Sequence, residues 1–281
     1  MSATAAIFPG QGVPTAELRA IVEASDPALL RHAESSLGSD VFARAGESTR
    51  YAQPAIFCAD LALWRRKRKD LDGATPIAFS GHSLGELPAL VAAGCLAPSA
   101  GLWLAAERGR ITAEVARETD GAMLALLGFD IESATRLAAE HEVYVSNDNC
   151  PGQVVLSGSR KDLETAQRSA VGKGRQATML NVEGAFHCPL MAPAVAPFRA
   201  SLAEVDFAPP GNSVFSGITA GRFDDVPAQL AAALTEPVRW SDTVRALRAS
   251  GVESFLECGP GRVLTRLIKR IVNDQEQETK P

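Results

Sequence analysis

"GHSLGE", residues 81–86, sets a serine between two glycines in the spacing Gly-x-Ser-x-Gly. That spacing suits a sharp strand-to-helix turn that lifts a serine hydroxyl clear of the backbone. Gly81 and Gly85 leave room where a side chain would collide with a neighbouring strand or helix. The pattern is short enough to arise by chance, so its flanks decide the reading. Ahead of it, "TPIAFS" (75–80) is a compact apolar strand candidate. Behind it, from Leu84, "LGELPALVAAGCL" fits a buried helix closed near Gly94. Strand, turn and helix together form a nucleophile elbow, which selects an α/β fold and makes Ser83 a candidate nucleophile.

Working outward, "TAAIFPGQG" reads as a short buried strand ending in a Pro-Gly turn and a glycine loop. Residues 53–69 have apolar positions at helical spacing and end in the basic run "RRKRK" (65–69), and a further helix is expected over about 98–118. The rhythm then changes. Strands are expected at 122–129, 143–148, 153–158 and 176–182, with helices at 131–141 and 160–172 and a turn at Asn149–Gly152. This β-α-β-β-α-β order is that of a ferredoxin-like module. It predicts an inserted ferredoxin-like α+β subdomain over 121–184 within a catalytic core formed by 1–120 and 185–281. Later segments resume the alternation: a helix after "FHCPLM", a strand at "NSVFSGIT", then strand, Gly-Pro-Gly turn and final helix in "VESFLECGPGRVLTRLIKRIV". Alternation of this kind implies a mostly parallel sheet covered on both faces. The tail "NDQEQETKP" reads as frayed.

At 281 residues the chain can bury a sizeable core, and 46% apolar with 22% charged residues is ordinary for a soluble globular protein. A net charge of −5 argues against a nucleic-acid partner. No apolar run approaches the ~20 residues needed to span a bilayer, and the N-terminus lacks the basic region of a signal peptide. Cys58, Cys95, Cys150, Cys188 and Cys258 are scattered without metal-ligand or disulfide spacing. They read as small core residues in a reducing cytoplasm, with no metal site. Cys188 follows His187 directly, and catalytic partners are neighbours in space rather than in sequence, so it too is read as core.

A serine nucleophile needs a base, and there are four histidines. His32 and His141 read as solvated helix residues. His82 adjoins Ser83, and adjacent side chains on an elbow diverge. His187, in "GAFHCPLM", falls where the insert returns to the core. There it is either a base on a cleft wall or a hydrogen-bonded junction residue. By residue type alone Arg108 is an ordinary surface arginine.

Eight blocks occur together and in order: "FPGQG" (8–12), "AQPA" (52–55), "GHSLGE" (81–86), "ERGR" (107–110), "NDNCPGQVVLSG" (147–158), "AFHCPLM" (185–191), "EPVRW" (236–240) and "ECGPGRVLT" (257–265). In this combination the chain resembles the malonyl-CoA:acyl carrier protein transacylase family, which includes the acyltransferase domains of polyketide synthases. The resemblance implies a hydrolase-like α/β core with a ferredoxin-like insert. It implies Ser83 as the acylated nucleophile, His187 as its base, and main-chain N–H groups of Gln11 and Leu84 as the oxyanion hole. Arg108 would clamp a substrate carboxylate, since a guanidinium offers two parallel donors and keeps its charge when desolvated. Gln53 would line the substrate site. Phe186 matches the form associated with unbranched malonyl selection. Ala233 stands where the family often has glutamine, and its main-chain carbonyl would orient the histidine. "VPTAELRA" after the first loop and Leu87-Pro88 after the elbow depart from the usual pattern.

The expectation is a freestanding, monomeric, cytoplasmic acyltransferase without a cofactor. It would carry malonyl from a coenzyme A thioester, through Ser83, to the phosphopantetheine thiol of a separate acyl carrier protein, in fatty acid or polyketide biosynthesis. Two alternatives use the same residues: an acyl hydrolase clearing carrier thioesters, and a transferase for a larger carrier-bound acyl group. A scaffold with a vestigial elbow is a third. "RRKRK" is either a docking site for an acidic carrier protein or a solvated helix end favoured by the helix dipole.

Overall fold

A computed structural model describes residues 3–37, 40–71, 76–209 and 213–278. In chain order the strands are β1 (Thr4–Phe8), β2 (Ala78–Gly81), β3 (Gly121–Leu127), β4 (Tyr144–Cys150), β5 (Gln153–Ser159), β6 (Gln176–Met179), β7 (Ser213–Phe215), β8 (Val238–Arg239) and β9 (Ser254–Glu257). The α-helices are α1 (Leu18–Ser25), α2 (Pro27–Leu37), α3 (Thr49–Lys67), α4 (Glu86–Ala92), α5 (Pro98–Glu118), α6 (Ile131–Glu140), α7 (Arg160–Gly172), α8 (Ala192–Ala203), α9 (Val226–Ala232), α10 (Trp240–Ala249) and α11 (Val263–Glu278).

The first sheet runs β7-β2-β1-β9 with every pair parallel. Apart from Thr4 and Ser80 its central strands carry no polar side chain, because helices cover both faces, and Ala5, Ala6, Ile7 and Phe8 are all fully buried. The register sets Phe8 beside Gly81 and Ile7 beside Glu257. Three strands therefore end together, and the loops that leave them converge on one rim, where open parallel sheets bind ligands.

The second sheet has the order β6-β3-β5-β4-β8, and its first four strands are antiparallel. This is the ferredoxin-like arrangement. Alternation along β3 explains its two faces. Leu124 and Leu126 pack with Leu137 of α6 and Leu163 of α7, while Met123 and Ala125 join Val155, Val182 and Phe186 on the opposite face. That opposite face is a wall of the cleft.

Several details differ from the sequence reading. Asn149 belongs to β4 rather than to a turn, and the strand register slips on either side of Asp148, so β4 bulges at Ser146 and Asn149. Strand β8 was not expected. It pairs parallel with β4, Asn147 beside Val238 and Asp148 beside Arg239. The final helix runs to Glu278, into the polar tail. His141 caps α6 but is half-buried rather than fully solvated, and its buried Nε2 has no hydrogen-bond partner among the described residues. Thr75, Asn212 and residues 279–281 lie outside the described residues. The basic run is largely engaged. Arg65 pairs with Asp26, Arg66 reaches Ser25, and Lys67 donates to the Glu257 carbonyl.

Candidate active site

Ser83 follows β2 in the left-handed region, at φ 57°, a conformation that costs a non-glycine residue energy and clusters at functional sites. The flanking glycines are steric necessities. A Cβ on Gly81 would lie 1.9 Å from the carbonyl carbon of Gly85, and one on Gly85 would lie 2.1 Å from the Phe8 oxygen. The turn is closed further by His82 N–H donating to the Phe8 carbonyl at 2.9 Å. Side chains on the turn do diverge. The His82 ring turns to Asn149, with Nε2 2.9 Å from Oδ1, while Ser83 Oγ lies 2.7 Å from His187 Nε2.

His187 is 4% exposed and also has a positive φ, 59°. Its Nδ1 lies 2.7 Å from the Ala233 carbonyl oxygen. A carbonyl only accepts, so Nδ1 carries the proton and Nε2 presents a lone pair to the serine hydroxyl. Burial, then the nearby Arg108 charge and His82, push the imidazole down to about 3. It is neutral at physiological pH. Cys188, the next residue, is buried as a core cysteine, and burial pushes its thiol up to about 11.

Arg108 is 7% exposed rather than on the surface, because α5 packs between α3 and α8. Nη1 donates to Gln53 Oε1 at 2.9 Å and Nη2 to Ser83 Oγ at 3.2 Å. Among the described residues it makes no ion pair. Burial lowers its pKa to about 10, against the pull of Glu86, so it remains cationic at neutral pH. Arg110 instead faces outward to Glu107 and Glu114.

Gln53, fully buried, ties the site together. Its amide nitrogen lies within 3.1–3.3 Å of Gln11 Oε1, Thr112 Oγ1 and Thr49 Oγ1, and Thr49 Oγ1 donates to Gln11 Oε1 at 2.6 Å. The Gln11 loop seats on the elbow. A Cβ on Gly10 would lie 2.5 Å from the His82 oxygen and 3.5 Å from the Leu84 nitrogen. Phe186 and Met123 line the same cleft, whose volume is about 640 Å³.

Gln11, Ser83, Arg108, Phe186 and His187 thus line one cleft, with Gln53 and Ala233 bonded to Arg108 and His187 behind it and Leu84 next to Ser83 on the elbow. Others went unassigned. Glu86 accepts from the Gly217 N–H at 2.7 Å, and burial pushes its carboxyl up to about 7 against that bond and the Arg108 charge. Glu183 accepts from Ser48 Oγ at 2.6 Å and Thr49 N–H at 2.9 Å, joining the segment before His187 to the start of α3. Asn149 lay within a quoted block, but only the fold reveals its contact with His82.

A parallel α/β sheet thus sets a serine against a buried neutral histidine in the lining of a cleft, an arrangement with the chemistry for nucleophilic acyl transfer. The chain belongs to the acyl transferase domain family, whose model matches residues 15–280. It is 36% identical over 293 residues to the malonyl CoA-acyl carrier protein transacylase of Escherichia coli K12, covering 97% of this chain and 94% of that one. It is 34% identical over 285 residues to the polyketide biosynthesis protein ThaF of Burkholderia thailandensis, matching 97% of this chain but 24% of that longer protein. Among solved structures, a type II PKS acyl-carrier protein in complex with its malonyl-transacylase (PlMCAT:AntF) aligns with TM-score 0.89 and 34% identity, covering 97% of this chain and 94% of that one.

Proposed function

We propose that this chain transfers a malonyl group from malonyl-CoA to the phosphopantetheine thiol of an acyl carrier protein, through an ester on Ser83. The observation that carries the reading is Arg108: a buried guanidinium that reaches the nucleophile and makes no ion pair among the described residues. A buried charge without a counter-ion is costly. A substrate carboxylate would supply one in bidentate form. The named activities of the relatives point the same way.

In this mechanism Ser83 Oγ attacks the thioester carbonyl as its proton passes to His187 Nε2. The oxyanion is held by the main-chain N–H groups of Gln11 and Leu84, donors fixed in advance and worth several kcal/mol. Collapse breaks the C–S bond, His187 returns the proton to sulfur, and coenzyme A leaves. The carrier's thiol then gives its proton to His187 and attacks the ester, and Ser83 is restored. The thioester brings its own activation, so the cycle needs no cofactor. Gln53 holds Arg108, Phe186 shapes the acyl site, and the Ala233 carbonyl aims the base. A monomeric cytoplasmic protein, with the cleft between a core and an insert over 121–184, completes the reading. One hydrophobic cluster drawn wholly from that segment, around Leu124, Leu126, Leu137 and Leu163, supports the division. Intact-mass measurement after mixing with malonyl-CoA tests it. One added malonyl group, absent in Ser83→Ala and discharged by holo carrier protein, is expected. Discharge to water at the same rate without carrier would indicate a hydrolase instead.

A further inference from the structure

We propose that Arg108 restrains the nucleophile until a substrate carboxylate takes its guanidinium away. This deepens the malonyl-transfer reading and rests on it. The serine oxygen has one proton and two lone pairs. The proton is directed to His187 Nε2, 2.7 Å away, and one lone pair accepts from Arg108 Nη2 at 3.2 Å. Attack on a carbonyl needs a lone pair, and a cationic donor withdraws electron density from the oxygen it engages.

The guanidinium cannot simply swing aside. Its other branch donates to Gln53, which is fixed by Gln11, Thr49 and Thr112. It exchanges partners only when a better acceptor arrives. A carboxylate is that acceptor, since a hydrogen bond with both partners charged is stronger than one to a neutral hydroxyl. The malonyl carboxylate lies two bonds from the carbonyl carbon under attack, so it reaches Nη2 from the position the reaction requires. Oγ then attacks, its proton goes to His187, and the C–S bond breaks as in the cycle above. A donor without a carboxylate leaves the restraint in place. Discrimination should therefore fall on the acylation rate at saturating donor, beyond any effect on affinity.

The test supplies the missing carboxylate separately. Single-turnover acylation of Ser83 by saturating acetyl-CoA is followed by intact mass, with and without sodium formate at constant ionic strength. Formate should raise the rate saturably, by about tenfold, the scale of one hydrogen bond to a charged group. Arg108→Ala should acetylate faster than the unmodified protein and ignore formate. Absence of a formate response, or an Arg108→Ala protein that acetylates no faster, overturns the proposal. The formate arm uses the unmodified protein and does not depend on the variant folding. Malonyl-CoA run in parallel separates the two ideas. Failure to form a malonyl ester defeats the proposed function, whereas a malonyl ester without a formate effect defeats only the restraint.

Discussion

His187 Nδ1 donates its orienting bond to the main-chain oxygen of Ala233, 2.7 Å away. The base is therefore aimed by backbone, and the side chain at 233 is free of that duty. Ala233→Ser should acylate within about threefold of the unmodified protein, whereas His187→Ala should slow acylation by about 10²–10⁴-fold, the range for a positioned general base. Single-turnover mass measurement compares them. A severe loss in a folded Ala233→Ser protein would mean that the site needs more than the carbonyl.

The base also sets a pH dependence. Burial, Arg108 and His82 hold the His187 imidazole at about 3, so it stays neutral and competent far below the usual ~6.5. Acylation by malonyl-CoA should show no histidine limb between pH 5 and 8. Arg108→Ala removes a cation that disfavours imidazolium, so its acid limb should move to higher pH. Glu86 titrates at about 7, and Glu86→Gln separates its contribution. A limb near pH 6.5 that persists in Glu86→Gln would contradict the picture.

Glu183 fastens the base-bearing segment to α3. Its carboxylate holds Ser48 and Thr49, and Thr49 holds Gln11 in turn. Glu183→Ala should reduce kcat by about tenfold with little change in KM, a modest share of the ~10²-fold that about 1 Å of misplacement can cost. Glu183→Gln keeps an acceptor and should recover most of the rate. Loss of thermal stability with normal kcat would leave Glu183 only a structural role.

Asp60 offers a stability test away from the chemistry. It is fully buried in α3, neither oxygen has a hydrogen-bond partner among the described residues, and burial followed by Glu257 raises its pKa well above the ordinary value, with Lys67 opposing. The folded chain keeps a proton that the unfolded chain releases above pH ~4. Stability from this group is thus present in full below that pH and declines as pH rises towards the folded pKa, by up to about 1.4 kcal/mol per pH unit. Asp60→Asn should be relatively more stable at pH 8 than at pH 5. A Tm difference that does not change with pH would refute it.

How legible was all this in the sequence? Ser83 was, because an elbow is local: strand, glycines and helix lie within about twenty residues. The four antiparallel ferredoxin-like strands were too, since the order β-α-β-β-α-β is local to the segment. Arg108 was not readable from residues alone. The helix around it is apolar on one side and carries Glu107, Arg110 and Glu114 close by, and which side Arg108 joins depends on packing against α3. Only the family resemblance pointed to it. Glu183 lies 135 residues from Ser48, and Val238–Arg239 is too short for any periodicity to mark as a strand. Asn149 was read as turn because Asn, Pro and Gly follow one another there, whereas the bulged strand carries it into the cleft.

That two-residue strand has a consequence for modularity. β8 covers the edge of β4 at Asn147 and Asp148, although it comes from beyond the insert in sequence. A fragment cut at 121–184 would bare N–H and C=O groups there, an invitation to pair with another copy. Asn147 and Asn149 lie on this edge strand and line the cleft, so the excised piece would lose the register that aims them. A chimera exchanging this sheet between relatives must take the "EPVRW" segment with it. The unit that can be transplanted is discontinuous in the gene.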